Sequence, residues 1–217
     1  MLQHPKISRR NVLMGATATL LSPACGAPAT QLSKTGRRPR ADLYVCEGCE
    51  GAKERSAAGL DWQARIAGPT ERGTPLRITG TVFGADGRTP APGVVVYAYH
   101  TDAAGLYSRG TRETEWSRRH GLLRGWARTK ADGRYAFDTI KPAPYPNRSD
   151  PAHIHLTIVE PGRRPYWIDD IVFAGEFGVN QAYRRQRENR GGNGIVTLSR
   201  QDGVWLARRN IVLEPHP

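Results

Sequence analysis

His153 and His155 stand two residues apart in Pro151-Ala152-His153-Ile154-His155-Leu156-Thr157-Ile158. Side chains alternate across a β-strand, so Ile154, Leu156 and Ile158 form one apolar face and His153, His155 and Thr157 share the other. Two imidazoles on one strand face can ligate a single metal ion. The same spacing also describes a polar face that happens to carry two histidines. Two tyrosines have constrained surroundings. Tyr145 lies between Pro144 and Pro146, eight residues before His153, and proline rings set the direction of such a turn. Tyr107 ends Thr101-Asp102-Ala103-Ala104-Gly105-Leu106-Tyr107. Aromatic packing at a sheet edge is the alternative reading for each tyrosine.

The elements that must position these residues read as all-β from Leu76 onward. Arg77–Phe83 alternates like a strand, a turn follows at Asp86-Gly87, and Val94–Tyr99 is a continuous β-branched and aromatic run suited to a buried strand. Gly125–Thr129 and Arg134–Phe137 flank Asp132-Gly133, which predicts a hairpin, and Ile195–Ser199 and Val204–Val212 flank Asp202-Gly203, which predicts a second. His153–Val159 is a further strand. Strands at this spacing predict a β-sandwich. Gly175–Gly192 reads as a long loop with room for a helical turn. Its cluster Arg184, Arg185, Arg187 and Arg190 reads as a solvated loop or helix end.

The 217 residues carry a formal charge of +12, with 24 glycines and 16 prolines that suit many turns. Residues 1–29 have the layout of an export signal: Lys6, Arg9 and Arg10, then a short apolar stretch over Val12–Leu21, then small residues. Ser8-Arg9-Arg10-Asn11-Val12-Leu13 is similar to a twin-arginine signal, and the apolar stretch is too short to span a bilayer. Cleavage near Ala27-Pro28-Ala29 is expected, with lipidation of Cys25 as the lesser alternative, because Ser22 spoils the lipobox. Those 29 residues hold three basic and no acidic side chains, so taking three from +12 leaves +9. No nucleic-acid-binding module is recognisable. Residues 30–75 read as a linker and extended lead-in. Within it, Cys46 and Cys49 could form a local disulfide in an oxidising compartment or remain free thiols; two cysteines cannot close a zinc site alone. The remaining segment, 76–217, is the sandwich domain.

Several segments together resemble the intradiol ring-cleavage dioxygenases, the protocatechuate and catechol dioxygenase superfamily. They are Pro90–Val96, Thr101–Tyr107, Asp132–Pro146 with its Pro144-Tyr145-Pro146 turn, and Pro151–His155, in the family's order across about residues 76–175. The resemblance implies a β-sandwich of the intradiol type and one mononuclear Fe(III) per chain, held by Tyr107, Tyr145, His153 and His155. Phenolate is a hard anionic donor that favours Fe(III), and with a free pKa near 10 it needs a strongly acidic cation to stay deprotonated. A two-His-one-carboxylate pattern is not evident. By the same resemblance, a small aromatic diol chelates the iron, Tyr145 dissociates, and O2 is inserted between the two hydroxyl-bearing carbons. No separate cap domain is visible before residue 76, which resembles the smaller exported branch.

The sequence departs from the family where an arginine is expected two residues before the Ala-His-Ile-His core: Asp150 stands there. Arg148 could substitute, or be a solvated loop arginine. A glutamine expected downstream is replaced by Asp170 or Asp169. Arg124, Trp126 and His120 are candidates for the substrate pocket, each with a structural role as the alternative. A non-catalytic, transthyretin-like sandwich that binds a metal or small ligand is the competing function, and a zinc or copper domain using only the two histidines is a third. The number of chains in the assembly is not readable from the sequence.

Overall fold

The computed structural model describes residues 37–217 except Glu47. The export signal and Cys25 lie outside the described residues. Eleven strands and two short helices are present among those described. They are β1 (Gln63–Arg65), β2 (Pro75–Phe83), β3 (Val95–His100), α1 (Glu115–His120), β4 (Arg124–Arg128), β5 (Arg134–Ile140), β6 (His153–Val159), β7 (Tyr166–Phe173), α2 (Gln181–Gln186), β8 (Ile195–Val196), β9 (Ser199–Gln201), β10 (Val204–Arg208) and β11 (Ile211–Val212).

Two sheets result. One runs β1-β5-β2-β10-β9, with β11 also on β2, and the other runs β4-β3-β6-β7-β8. Their facing sides make the core. β2 alternates strictly, burying Leu76, Ile78 and Val82, and these with Phe137 meet Val96, Ala98, Ile154, Leu156 and Ile158 of the second sheet. This is the all-β sandwich expected, and the apolar face of β6 is the one the alternation assigned to the core. The core also buries His100. Its Nδ1 lies 2.7 Å from the Thr101 carbonyl and its Nε2 2.7 Å from Thr139 Oγ1, while burial pushes its pKa down to about 4.

The first expected hairpin does not form. Asp132-Gly133 does reverse the chain, with Gly133 at φ +75°, the Gly133 amide donating to the Lys130 carbonyl and the Lys130 amide to the Arg134 carbonyl. The flanking strands then part company. β4 pairs with β3 and β5 pairs with β2, so the turn carries the chain from one sheet to the other. An Asp-Gly turn dictates reversal over four residues; which strand is the partner depends on burial of the strand faces. The second hairpin does form, between β9 and β10, but β8 leaves it to pair with β7.

Residues ahead of 76 take part in the sandwich. β1 adds to the edge of β5, and Leu43 and Ile66 join the core. The turn of 3-10 helix at Cys49–Lys53 lies on the outer face of the second sheet, where Ala52 packs with Val95, Tyr97 and Trp126. The run 94–99 is therefore buried on both sides, by the core and by the lead-in.

Candidate metal centre

The site is built on the outer face of β6. His153 and His155 project from it, as alternation requires. Tyr107 follows a turn closed by the Asp102 carboxylate, whose Oδ1 accepts from the Ala104 amide at 2.8 Å and the Leu106 amide at 3.0 Å. That turn is bonded to the segment bearing Tyr145. The Ala143 amide donates to the Asp102 carbonyl at 3.1 Å, and Thr101 Oγ1 donates to the Ala143 carbonyl at 2.7 Å. Two loops far apart in sequence are thereby held as one unit over the histidines.

The four side chains converge. Tyr107 Oη lies 2.6 Å from Tyr145 Oη and 3.0 Å from His155 Nε2. Tyr145 Oη lies 3.3 Å from His155 Nε2, and His153 Nε2 lies 3.1 Å from His155 Nε2. The other ring nitrogens settle the tautomers. His153 Nδ1 lies 2.7 Å from the Pro151 carbonyl and His155 Nδ1 3.2 Å from Asp170 Oδ1. Both partners accept only, so in the neutral ring that a metal ligand requires Nδ1 carries the proton and Nε2 presents a lone pair. Two lone pairs at 3.1 Å repel unless a cation sits near both. Burial, followed by the neighbouring His155, also holds His153 below its usual pKa, so the imidazole stays neutral and able to ligate. Burial first, then the Tyr145 hydroxyl, pushes the Tyr107 phenol well above its ordinary value, and burial raises Tyr145 as well. Without a metal both phenols hold their protons; a strongly acidic cation would displace them. The donor set thus fits a hard trivalent metal ion.

One of the two aspartates that stand where a glutamine is expected joins the site in space. His153, His155 and Asp170 offer ligand atoms within 4.8 Å of one another. Asp170, however, faces Nδ1 of His155, the edge away from the phenols, and so orients the ring. It does so because the β6–β7 register shifts between Ile154 and Leu156, which sets both Asp169 and Asp170 opposite His155. Bulges of this kind re-aim side chains beside functional sites. Of the two aspartates, Asp170 meets the histidine, while buried Asp169 faces Arg187 at 3.2 Å. Burial raises the Asp170 carboxyl, but the facing His155 and His153 outweigh that and leave it below the usual range. Asp170→Asn is expected to weaken metal affinity about 10–100-fold, as loss of such an outer partner does; metal titration of the purified variant checks it.

Arg148, one pocket candidate, is exposed and places its guanidinium 5.5 Å from the centre of the Tyr145 ring. Asp150 is exposed on the same loop. Arg124 and Trp126 have structural partners instead. Arg124 pairs with Glu54 and lies over the Trp126 ring at 5.2 Å, and Trp126 Nε1 donates to the Ala52 carbonyl at 3.0 Å. They clamp the lead-in onto the second sheet. Trp126→Phe is therefore expected to cost about 1 kcal/mol of stability, the worth of one hydrogen bond, with metal content unchanged; thermal unfolding with metal analysis checks both. Cys46 and Cys49 are joined by a disulfide, and Cys49 Sγ lies 3.9 Å from Thr157 Oγ1 on the site face of β6.

Other neighbours escape a reading of the sequence. Tyr99, opposite His155 in the β3–β6 ladder, stacks on its ring at 4.5 Å and on the His120 ring at 3.9 Å. Its parity on β3 was legible; its partner was not. The arginines of 184–190 are not all solvated. Arg190 is fully buried over Trp167 at 3.8 Å, and Arg187 is held by Asp169. A cleft of about 320 Å³ opens beside His155, between Cys46, Gly48, Tyr99 and Trp167, with Asp169, Asp170 and Arg187 at its polar end.

Comparison with known proteins agrees with this architecture. A family model described as dioxygenase matches residues 54–184. Catechol 1,2-dioxygenase 2 of Acinetobacter lwoffii is 29% identical over 188 residues, 70% of this chain and 66% of that protein. Hydroxyquinol 1,2-dioxygenase of Nocardioides simplex is 29% identical over 168 residues, 66% of this chain and 55% of that protein. This chain thus spans about two thirds or less of the length of these curated relatives. Among solved structures, the dioxygenase domain of a dioxygenase–carbohydrate-binding fusion from Streptomyces sp. SirexAA-E superposes with a TM-score of 0.53 at 25% identity, covering 69% of this chain and 86% of that one. An intradiol ring-cleavage dioxygenase from Tetranychus urticae shares the fold, with a TM-score of 0.52 at 24% identity, covering 70% and 85%. With the match spanning more than half of its length, the chain belongs to the intradiol ring-cleavage dioxygenase superfamily.

Proposed function

We propose that the chain is an exported intradiol dioxygenase that cleaves a small aromatic diol between its two hydroxyl-bearing carbons with O2, using one Fe(III) held by Tyr107, Tyr145, His153 and His155. The observation that carries this is the convergence of two phenol oxygens and two proton-free imidazole nitrogens, with Nε2 lone pairs facing each other at 3.1 Å. When bound, a ferric ion would act as a Lewis acid that makes a chelated diol reactive toward O2. The protein's part is positioning and proton handling. His153 and His155 are fixed from behind by the Pro151 carbonyl and Asp170. Tyr107 is fixed by the Asp102 turn. Tyr145 sits on the exposed loop and is the ligand free to swing away, its Oη able to take a proton from an incoming hydroxyl. Export rests on the sequence of residues 1–29 alone.

The visible spectrum of the purified protein is the test, followed by addition of catechol under air. Tyrosinate-to-Fe(III) charge transfer gives a red-brown colour that shifts as catechol binds and returns as O2 is consumed. A colourless, iron-free protein overturns the reading. A coloured protein that consumes no O2 with any catechol favours a non-catalytic binding sandwich, the reading that Asp150 in place of an arginine supports.

A further inference from the structure

We infer that the disulfide between Cys46 and Cys49 positions His155 through a stack of three rings, so that its closure tightens the grip of the centre on its metal. The inference rests on the proposed function insofar as His155 is a ligand. Asp170 fixes the His155 ring at one atom, Nδ1, at 3.2 Å. A single hydrogen bond leaves the plane of the ring free to pivot, and the direction of Nε2 with it. Stacking sets that plane. The Tyr99 ring lies 4.5 Å from the His155 ring at 26° and 3.9 Å from the His120 ring at 8°, so it is held between two imidazoles. His120 is itself buried, with Nδ1 2.8 Å from Tyr97 Oη. Tyr99 and His120 are thus positioning residues for the ligand.

The wall behind His120 is the lead-in, and it is built for contact. A Cβ at Gly48 would fall 2.8 Å from His120 Nε2, and one at Gly51 3.0 Å from His120 Cε1. Glycine at both positions lets backbone touch the imidazole. These glycines bracket Cys49 at the head of the 3-10 turn Cys49–Lys53. Downstream, the turn is pinned by Trp126 Nε1, which donates to the Ala52 carbonyl at 3.0 Å, and by Glu54, which pairs with Arg124. Upstream, Cys49 is tied to Cys46, and Val45 beside Cys46 is 72% exposed. Cys49 is buried, with Sγ 3.9 Å from Thr157 Oγ1, two residues along β6 from His155. Opening the bridge therefore releases the end of the turn that presses on His120. Cys46 is half-buried and lines the cleft beside His155, within reach of a small reductant. Two electrons and two protons turn the bridge into two thiols. In an oxidising compartment the bridge stays closed, and the centre holds its metal most tightly there.

The experiment measures binding of gallium(III), a redox-inert probe for a hard trivalent site, to the full chain in competition with citrate. Opening the bridge, by Cys46→Ser or by a phosphine, is expected to weaken the affinity about tenfold, the lower end of the cost of losing a ligand's outer partner. The phosphine supplies the two electrons and ends as its oxide, with water giving the oxygen and both protons. Reoxidation of the phosphine-treated chain is expected to restore the affinity. In Tyr99→Leu, where the link to His155 is missing, opening the bridge is expected to change nothing. Unchanged affinity with the bridge open overturns the inference. So does a loss that reoxidation does not restore, or an equal loss in Tyr99→Leu. If the oxidised chain binds no trivalent metal, the proposed function fails. The imidazole magnetic-resonance signals of metal-free His155 then decide the inference: they are expected to move when the bridge opens, and it falls if they stay.

Discussion

His155→Ala is expected to give a folded, colourless protein that retains little iron and no measurable ring-cleaving activity. Its Nε2 is the hub of the cluster, within 3.3 Å of Tyr107 Oη, Tyr145 Oη and His153 Nε2. Loss of an outer partner of a ligand costs about 10–100-fold in metal affinity or activity, and loss of the ligand itself is expected to exceed that range. The imidazole is half-buried on the outer face of β6, not in the core, so the sandwich should survive its removal. The loss extends beyond one ligand. The alanine also frees Asp170 and removes the ring on which Tyr99 stacks. Metal analysis, the visible spectrum and far-ultraviolet circular dichroism on one preparation check the result. Wild-type iron content in a folded His155→Ala protein would show that the metal is bound elsewhere.

Gly105→Ala should do nearly as much damage from a residue that carries no side chain. Gly105 is buried at φ +79°, and an added Cβ would fall 2.1 Å from the Pro144 carbonyl oxygen. The obstruction is backbone, so no rotamer change relieves it. The left-handed conformation alone costs a non-glycine residue about 1–2 kcal/mol, and forcing the two loops apart brings the expected total to about 2–4 kcal/mol. For a domain of this size that lowers Tm by roughly 5–15 °C. The more telling effect is on the metal. Gly105 touches the backbone just before Tyr145 and lies two residues before Tyr107, so parting the loops moves the two phenols relative to each other. Iron content and the charge-transfer band should fall together. A variant that loses stability but keeps the wild-type band would show that the tyrosines are positioned independently of this contact.

Much of the site could be read from residue order because its logic is local. Strand alternation alone set His153 and His155 on one face and Ile154, Leu156 and Ile158 on the other, and the fold keeps that division. The two proline-framed or turn-framed tyrosines were identifiable as chemically constrained, although their approach to the histidines followed only from resemblance. The Asp202-Gly203 hairpin also formed as its local signal required.

What failed, or was invisible, depends on pairings that no local signal encodes. Asp132-Gly133 forms its turn, yet the strands beside it separate into different sheets, because strand partners are chosen by which faces must be buried. The bulge between β6 and β7 brings Asp170 to His155 and sends Asp169 to Arg187. A shift of register by one residue changes which side chains meet, and register is a property of two strands. For the same reason Tyr99 became a neighbour of His155, and an arginine cluster that reads as solvated became partly buried by Trp167 and Asp169. The sequence by itself determined the donor types and their local geometry, since backbone dihedrals and strand parity act over a few residues. Only the tertiary structure decided that the four donors share one point and which carboxylate supports them, because those follow from long-range burial and strand register.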